Sequence, residues 1–376
     1  MKIGFVSFLF GEYSVRLASA LAEHASVMLL LPEGMADPFL EYLDERVILR
    51  TFRRPRYRQP LRNLRLNRWI FRQLREFGAD VIHFQQGSLW FNLSLLLERR
   101  FPIVLTVHDA EQHVGDKLSQ KTPYCIWKWG FHRADQIIVH SEFVKNQLTK
   151  QVGIPSSRIT TVPHIQIGHG TEAAVDSLDD GKTVLFFGRI WPYKGLEYLI
   201  RAERQITEKV PDVRIVIAGA GENFERYRQE MENPERFVVH NRRIPEDEAE
   251  QLFREASVVV LPYIESSQSG VIPVAYSHAK PVIATTVGGL PETVIDEVTG
   301  LLVPPRDERR LADAVVALLT NGDLRNRMGQ EGKRRLEREC APDKVAQQTI
   351  DVFRCACPAA QRKPVESSPS PVLMRQ

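Results

Sequence analysis

The strongest constraint on the fold is an alternation of short apolar runs with amphipathic segments, which occurs twice along the chain. In the first half, KIGFVSFL and SVMLLLP have the length and β-branched content of buried strands, and YSVRLASALAEHA between them has helical periodicity. TVLFFGR and RIVIAGAG begin a second series of the same kind. Because parallel strands need long crossover connections and are covered on both faces, the pattern predicts two α/β domains, each with a doubly wound parallel sheet.

The predicted domain boundaries follow changes in composition. The segment GHGTEAAVDSLDDGK is small, acidic and aperiodic, which is typical of a linker. A length of 376 residues also favours two cores over one. The last twenty residues are rich in Pro and Ser, which predicts disorder. The expected organisation is a first domain over 1–167, a linker over 168–181, a second domain over 182–340, a helix over 341–356 and a disordered tail over 357–376.

The composition excludes several classes of protein. An apolar fraction of 43% with 26% charged residues is the balance of a globular chain, and no apolar run approaches the roughly eighteen residues that span a membrane. MKIGFVSFLF is not followed by a small-residue cleavage pattern, so we expect no signal peptide. The four cysteines lack zinc spacing, which favours a reduced, cytoplasmic protein.

The formal net charge of +3 is unevenly distributed. Between Arg50 and Arg75 there are ten arginines and no Asp or Glu, and aromatic residues are interleaved with them. We call residues 50–75 the Arg strip. Three readings remain open at this point: a membrane-surface segment attracted to anionic lipid, a nucleic-acid-binding segment, and a helix packed on the sheet with a solvated Arg face. From residue 61 the spacing is helical, and one apolar face would carry Leu61, Leu64, Leu66, Trp69, Ile70 and Leu74.

Two cationic residues lie in the turn between a predicted strand and a predicted helix. Arg189 and Lys194 belong to GRIWPYKG, between the strand TVLFF and the amphipathic segment LEYLIRAERQI. Backbone N–H groups and the helix dipole favour an anion at such a place, and an Arg fork with a Lys charge suits a phosphate or diphosphate. A solvated surface turn is the alternative interpretation of this stretch alone.

A second stretch, residues 265–292, reads ESSQSGVIPVAYSHAKPVIATTVGGLPE. Small hydroxyl residues and Gly270 come directly before a helical run. The hydroxyls of Ser267 and Ser269 and the N–H groups from Gly270 onward are therefore candidates for cradling a phosphate. A Ser-rich helix cap is the alternative.

Together these stretches resemble the retaining nucleotide-sugar glycosyltransferases of family 4. That family shows G-R-x-x-x-x-K-G after a strand, an A-G-x-G strand end, and a segment ending G-x-P-V-I-A-T-x-x-G-G-x-x-E. The chain reads GRIWPYKG, AGAGE and AKPVIATTVGGLPE at these places, and TVHD at 106–109 fits the family's acceptor domain. The resemblance, which extends over residues 1–356, implies the GT-B fold: two Rossmann-like domains face a central cleft, and the last helix crosses back to the first domain.

The resemblance also implies roles for matching residues. Arg189 and Lys194 would hold the donor diphosphate and stabilise the leaving group, which makes a metal unnecessary, and His108 would contact the donor sugar near the reacting carbon. The implied donor-binding residues are Gly188, Gly219, Glu265, Ser266, Ser267, Gln268, Ser269, Gly270, Val271 and Glu292. On the acceptor or membrane side we expect Gly11, His83, Asp109, Arg62, Arg65, Arg68 and Trp69. His83 ends a strand that would face the cleft, and a buried, hydrogen-bonded histidine is the alternative. His113, His164 and His169 lie near the predicted cleft loops, where a structural role is favoured over a catalytic one. No cofactor is expected.

The chain departs from the family pattern at three places. The family commonly has two Glu residues eight positions apart around the phosphate loop, where this chain has Ser266 and Val274. Glu265 is a candidate replacement for the first. The second usually holds the ribose hydroxyls, which a valine does not do. Gly11 stands where relatives often have a pair of glycines.

The expected partners are a UDP- or GDP-sugar donor, a glycan or lipid-linked acceptor and an anionic inner-membrane surface reached through the Arg strip, without nucleic acid. Two rival functions remain. An epimerase of the same architecture is disfavoured because the family's epimerases lack the GRIWPYKG pattern. A non-catalytic scaffold with a decayed site is favoured by Val274 and disfavoured by intact Arg189 and Lys194.

Overall fold

A computed structural model describes residues 1–85, 88–112, 122–168 and 178–357. In the first domain, seven parallel strands form one sheet in the order β3-β2-β1-β4-β5-β6-β7. The strands are β1 (Lys2–Val6), β2 (Ser26–Pro32), β3 (Ile48–Phe52), β4 (Val81–Gln85), β5 (Ile103–Val107), β6 (Gln136–Val139) and β7 (Ile159–Thr161). The helices are α1 (Gly11–Ala22), α2 (Pro60–Phe77), α3 (Leu89–Leu95), α4 (Tyr124–Arg133) and α5 (Glu142–Gln147).

The second domain repeats the plan with six parallel strands in the order β10-β9-β8-β11-β12-β13. The strands are β8 (Thr183–Phe187), β9 (Arg214–Ala218), β10 (Phe237–His240), β11 (Val258–Leu261), β12 (Val282–Thr285) and β13 (Gly300–Val303). The helices of this domain are α6 (Leu196–Lys209), α7 (Glu225–Arg228), α8 (Glu246–Glu255), α9 (Val271–Ser277), α10 (Leu290–Thr293), α11 (Glu308–Thr320) and α12 (Gly322–Glu339), and α13 (Pro342–Ala356) follows it. Two doubly wound domains confirm the predicted fold class.

The core lies on both faces of each sheet. One apolar cluster fills the second domain, and two fill the opposite faces of the first sheet. Helix α13 belongs to the first domain's core although it follows the second domain in the chain. Its residues Val345, Ile350 and Phe353 are buried in the cluster that contains Phe5 of β1 and Leu17 of α1. The end of the chain that the structure describes therefore ties the second domain back to the first.

Both sheets have a topological switch point beside their first strand. The chain runs outward on one side of β1 and then returns to pair β4 on the other side, and β8 is flanked in the same way by β9 and β11. Ligands of open α/β sheets bind at the carboxyl ends of strands at such points. The loops after β1 and β8 thus belong to the expected binding cleft.

Two strands were not foreseen from the sequence. Strand β3 lies at the start of the Arg strip, and most of its residues are partly or fully exposed because it is an edge strand. Strand β13, also at an edge, is only four residues long. Neither has the continuous apolar run by which a central parallel strand is recognised.

The apolar face predicted for α2 was only partly correct. Ile70 and Leu74 are buried, but Leu61 is 70% exposed and Leu64 43% exposed. Buried polar residues Asn63 and Asn67 face inward in the first half of this helix. Of the helices that the structure describes, none combines the length and hydropathy that crossing a bilayer would require.

Candidate active site

A cleft of about 470 Å³ lies between the two domains. Phe10, from the loop after β1, lines it on one side, and Gly188 and Arg189, from the loop after β8, line it on the other. These are the two switch-point loops, so the topology places the cleft where a ligand is expected. The cleft-lining residues that the sequence predicted are His108, Asp109, Gly188, Arg189, Lys194, Ser266, Gln268, Ser269, Gly270 and Val271.

The turn after β8 depends on two glycines. Gly195 has φ +61° at the start of α6, and a Cβ there would overlap the carbonyl oxygen of Pro262. Gly219 does not line the cleft; it has φ +148°, and a Cβ would overlap the carbonyl oxygen of Gly188. The predicted donor-binding role of Gly219 therefore becomes an indirect one, in which the absence of a side chain lets β9 approach the GRIWPYKG turn.

The two cations of this turn rest on buried tyrosines. Arg189 Nη2 donates to the hydroxyl of Tyr193 over 2.9 Å. Lys194 Nζ lies 3.5 Å from the centroid of the Tyr263 ring, a distance at which the ring face attracts a cation. Burial raises the pKa of Tyr263 to about 12, so this phenol remains neutral. Both positive charges are thereby held at one wall of the cleft, which suits a diphosphate.

The loop between β11 and α9 forms the neighbouring wall. Ser266 Oγ donates to the carbonyl oxygen of Gln268 over 2.8 Å. Ser269 Oγ accepts from the Val271 backbone N–H over 3.3 Å and lies 3.3 Å from the Tyr263 hydroxyl. These hydroxyls hold the loop in shape, and the wall ends at Gly270, which precedes the first turn of α9.

His108 joins the two domains at the cleft. Its Nδ1 accepts from Gln268 Nε2 over 2.9 Å, which leaves the proton on Nε2, and Nε2 donates to Gln85 Oε1 over 2.6 Å. Burial, and then the neighbouring His140 and His164, hold the pKa of His108 well below 6.5. His108 is thus a neutral imidazole with both ring nitrogens hydrogen-bonded.

Aromatic rings surround this imidazole. The Phe10 ring stacks on His108 with centroids 4.0 Å apart, and Tyr13 meets it edge-on at 5.5 Å. His140 and His164 pack against the same tyrosine at 5.5 and 5.0 Å. Burial lowers the pKa of His140 to about 3 and also lowers the pKa of His164. His140 and His164 follow the ends of β6 and β7 in the chain. Their positions in the sequence did not predict that both contact Tyr13.

Comparison with known proteins identifies the two halves separately. Residues 11–165 match the family described as Glycosyltransferase Family 4, and residues 181–321 match the family described as Glycosyl transferases group 1. An uncharacterised glycosyltransferase of Methanocaldococcus jannaschii is 31% identical over 298 residues, which are 74% of this chain and 75% of the relative. The chain belongs to glycosyltransferase family 4.

Solved structures agree with this fold. A sucrose-phosphate synthase of Thermosynechococcus elongatus superposes with a TM-score of 0.74 at 21% identity, covering 94% of this chain and 98% of its own. The Anabaena protein HepE, solved in complex with UDP-glucose, superposes with a TM-score of 0.73 at 19% identity and covers 94% and 99% of the two chains. The glycosyltransferase described here therefore has the two-domain GT-B architecture.

Glu292 does not line the cleft of this glycosyltransferase but a smaller pocket beside it, which shares Gln268 and Ser269 with the cleft. Its carboxylate accepts from the backbone N–H groups of Glu142 over 2.7 Å and Phe143 over 2.8 Å, at the start of α5 in the first domain. Arg335 holds the same segment from the other side, since it donates to the carbonyl oxygens of Glu292 and Thr293. The structure thus gives Glu292 an interdomain contact instead of the predicted position in the donor cleft.

Two more of the predicted donor-binding residues lie outside the cleft lining. Glu265 is exposed, and its backbone N–H donates to the carbonyl of Tyr193. Ser267 is buried, and its carbonyl oxygen accepts from Ser141 Oγ of the first domain over 3.4 Å. Glu265 was predicted at the cleft because it closely follows the strand β11. Its exposure depends on the path of the loop after that strand, which the sequence pattern does not specify.

His83 and Gly11 serve packing. His83 is fully buried in the middle of β4, its Nε2 lies 2.8 Å from Thr106 Oγ1, and its ring stacks on Phe5. Burial lowers its pKa to about 3. Of the two readings of His83, the one that placed it at the cleft was wrong and the buried histidine is correct, because Phe353 of α13 packs against its ring. A Cβ at Gly11 would overlap the carbonyl oxygen of Met35, so this glycine allows the turn after β2 to approach the start of α1.

The Arg strip presents most of its charge to solvent. Arg62, Arg65 and Arg68 are exposed on α2, while Trp69 is half-buried with its ring 6.4 Å from that of Phe52. Among the residues that the structure describes, one group has the geometry to hold a metal ion: Glu23, His24 and Asp343, all exposed. None of these three residues lines the cleft. His113 and His169, two histidines near predicted cleft loops, and the tail beyond residue 357 lie outside the described ranges.

Proposed function

We propose that this glycosyltransferase moves a sugar from a UDP- or GDP-sugar to a glycan or lipid-linked acceptor, with retention of configuration and without a metal. The observation that carries the proposal is the pairing of Arg189 and Lys194 on one cleft wall, beside the Ser–Gly loop before α9. Charge that develops on a departing diphosphate would meet two cations already held in position, which is the arrangement that lowers such barriers most.

The surroundings of His108 support its place near the donor sugar. A neutral imidazole adds no positive charge beside the reacting carbon, where an oxocarbenium-like charge would develop. Its contact with Gln268 exists only when the two domains meet, so domain closure would assemble this part of the site. Asp109 lines the same cleft and is the acidic neighbour of His108 on the acceptor side.

Val274 leaves the nucleotide preference open between the two donor classes. It lines the cleft where relatives carry the ribose-binding Glu, and it offers no hydrogen bond. The proposal of a UDP-sugar is supported by the UDP-glucose complex of HepE, whose fold the chain shares. Polysaccharide or glycoconjugate synthesis at the inner membrane face is the setting that the Arg strip favours.

The test is thermal stabilisation by a panel of UDP-, GDP-, ADP- and dTDP-sugars, followed by assay of nucleoside diphosphate release with and without EDTA. A donor at about 100 times its dissociation constant should add about 2.7 kcal/mol to the free energy of unfolding. We expect the shift with one nucleotide class, its loss in Arg189→Ala, and its retention in Arg309→Ala, which removes an exposed arginine of α11. Release that persists in EDTA would support the metal-independent reaction.

The absence of a shift with every donor would overturn the proposal and favour a non-catalytic scaffold. A thermal shift that persists in Arg189→Ala would mean that the donor phosphates bind elsewhere than at the GRIWPYKG turn.

A further inference from the structure

A basic groove of about 630 Å³ lies on the first domain, separate from the lining of the donor cleft. It occupies the connection between β3 and α2. Its lining residues are Arg53, Arg54, Pro55, Arg56, Gln59 and Arg62. We call this site the basic groove.

The positive charge of the basic groove is almost uncompensated. Helix α2 begins at Pro60 and has no acidic residue in its first turn, so its positive dipole end adds to the arginines. Arg53 lies 3.9 Å from a carboxylate oxygen of Glu33. Within the described ranges, no carboxylate forms an ion pair with Arg54, Arg56 or Arg62. Like charges that line one groove repel one another, and an anion bound between them offsets that repulsion.

The backbone of the groove is fixed. Gln59 Oε1 accepts from the Arg56 backbone N–H over 3.1 Å. Buried Asn63 donates to the carbonyl oxygens of Arg56 over 3.0 Å and Gln59 over 2.8 Å. The hydroxyl of Tyr57 is hydrogen-bonded to that of Thr122. A preformed wall of this kind lowers the entropy cost of binding, since the loop does not have to be ordered by the ligand.

The groove adjoins the loop that enters the donor cleft. Arg54 Nη1 donates to the carbonyl oxygen of Phe8 over 3.3 Å, and Phe10, two residues further on, lines the cleft. A molecule that places a phosphate in the groove therefore has a short path along residues 8–10 to the donor.

Two exposed leucines lie beside the groove. Leu61 is 70% exposed and Leu64 43% exposed, on the same helix as Arg62, Arg65 and Arg68. Apolar side chains between cations are the pattern of a segment that rests in the headgroup region of an anionic bilayer. Nucleic acid would contact the cations but would gain little from two exposed leucines.

We propose that the basic groove binds the phosphate of a lipid-linked acceptor at an anionic membrane, with Leu61 and Leu64 inserted among the lipid headgroups. The inference rests on the proposed function only in naming the lipid as the acceptor. Binding of the phosphate and of the bilayer is measurable without sugar transfer.

The experiment is flotation of the full chain with vesicles of phosphatidylcholine alone and of phosphatidylcholine with about 30% phosphatidylglycerol. The groove variant is R54A/R56A/R62A, and the matched control, R204A/R309A/R310A, removes three exposed arginines of the second domain. At about a fivefold effect per cation, loss of three cations should make the groove variant bind anionic vesicles about 100-fold more weakly. The control should bind anionic vesicles as the wild type does. Neutral vesicles should bind none of the three proteins.

Two further arms separate the sources of phosphate. Calorimetry with inorganic pyrophosphate is done in the Arg189→Ala background, because the donor cleft also suits a diphosphate. It should show a site in Arg189→Ala with or without L61S/L64S, and none when the groove arginines are also replaced. L61S/L64S should float less with anionic vesicles. Pyrophosphate binding without flotation would overturn the proposal of a lipid-linked acceptor and favour a soluble acceptor that carries a phosphate. Tighter binding to poly(U) RNA than to anionic vesicles would overturn the proposal in favour of nucleic acid.

Equal flotation of the groove variant and the wild type would also overturn the proposal. Thermal stabilisation by the donor sugar is the control for folding, since the groove variant should retain it. Arg189→Ala should show the reverse result, with flotation retained and donor stabilisation lost. Failure of the groove and failure of the donor site are therefore distinguishable.

Discussion

At the scale of single residues, Phe10 has the conformation least expected from its type. Its backbone is left-handed, with φ +62° and ψ +55°, which costs an L-residue about 1–2 kcal/mol. The residue is 39% exposed, and its ring stacks on His108. Strain of this kind persists where the surrounding structure determines it, and it concentrates at functional sites.

We predict that Phe10→Gly is more stable than Phe10→Ala by up to about 1 kcal/mol, because both lose the ring but only glycine relieves the left-handed strain. The matched pair is Leu64→Gly and Leu64→Ala, on the exposed face of α2, where alanine should be the more stable by about 1 kcal/mol. Urea unfolding measures both pairs. The same order at both positions would show that Phe10 is not strained.

The buried histidines make stability depend on pH. The pKa of His83 is lowered to about 3 by burial, against an ordinary value of about 6.5 when the chain is unfolded. Between these values the unfolded chain binds the proton and the folded chain does not. Stability is therefore fully present above about pH 6.5 and is lost as the pH falls toward 3.

We predict that His83→Gln lowers the slope of unfolding free energy against pH between pH 4 and 6 by up to about 1.4 kcal/mol per pH unit. Exposed His132, replaced by Gln, is the control and should leave the slope unchanged. Urea midpoints at several pH values provide the measurement. A slope identical to that of the wild type would mean that His83 titrates normally in the folded chain.

At the scale of the element, the turn from β8 into α6 was the most predictable part of the site. GRIWPYKG follows an apolar run and precedes an amphipathic one, so its position at the carboxyl end of a strand followed from local pattern alone. The tyrosines under its cations did not follow from pattern. Tyr263 reaches Lys194 because β11 lies next to β8 in the sheet, and sheet order is not a local property.

We predict that Gly195→Ala lowers the free energy of unfolding by about 2–5 kcal/mol, since it combines a left-handed residue with overlap of the Pro262 carbonyl. Gly153→Ala is the control: its φ is +80°, but a Cβ there meets nothing within 4 Å, so it should lose only about 1–2 kcal/mol. Thermal and urea unfolding measure the difference. Equal losses would show that the turn relaxes away from Pro262.

Helix α2 shows the limit of periodicity. The 3.6-residue repeat placed Leu61 and Leu64 on the same face as Ile70 and Leu74, yet only the second pair is buried. The repeat states which residues share a face, but it does not state where along the helix the sheet beneath it ends. The exposed first half became visible only in the folded chain.

At the scale of the whole molecule, a few contacts hold the two domains together over the cleft. The Glu292 carboxylate binds the N-terminus of α5, and Gln268 reaches His108. Glu12 supports the connection between the domains, because its carboxylate accepts from the Gly168 backbone N–H over 2.6 Å. Closure and site assembly thus depend on the same small set of polar contacts.

We predict that Glu292→Gln raises the open population, because a neutral amide loses the attraction between a carboxylate and two N–H groups at a helix start, about 1–2 kcal/mol. The radius of gyration from small-angle X-ray scattering should increase. Glu297→Gln, an exposed carboxylate of the same domain, should leave it unchanged. An unchanged scattering curve for Glu292→Gln would assign closure to other contacts.

The sequence by itself determined the fold class, the donor-side turn and the Ser–Gly loop, because strand runs, helix periodicity and glycine-rich turns are properties of neighbours in the chain. Only the tertiary structure decided that Phe10 covers His108, that Gln268 orients it, that Glu292 joins the domains and that His83 belongs to the core. These contacts connect residues as far as 160 positions apart. They depend on the order of the strands and on how two separately folded domains meet, which no local spacing of residues specifies.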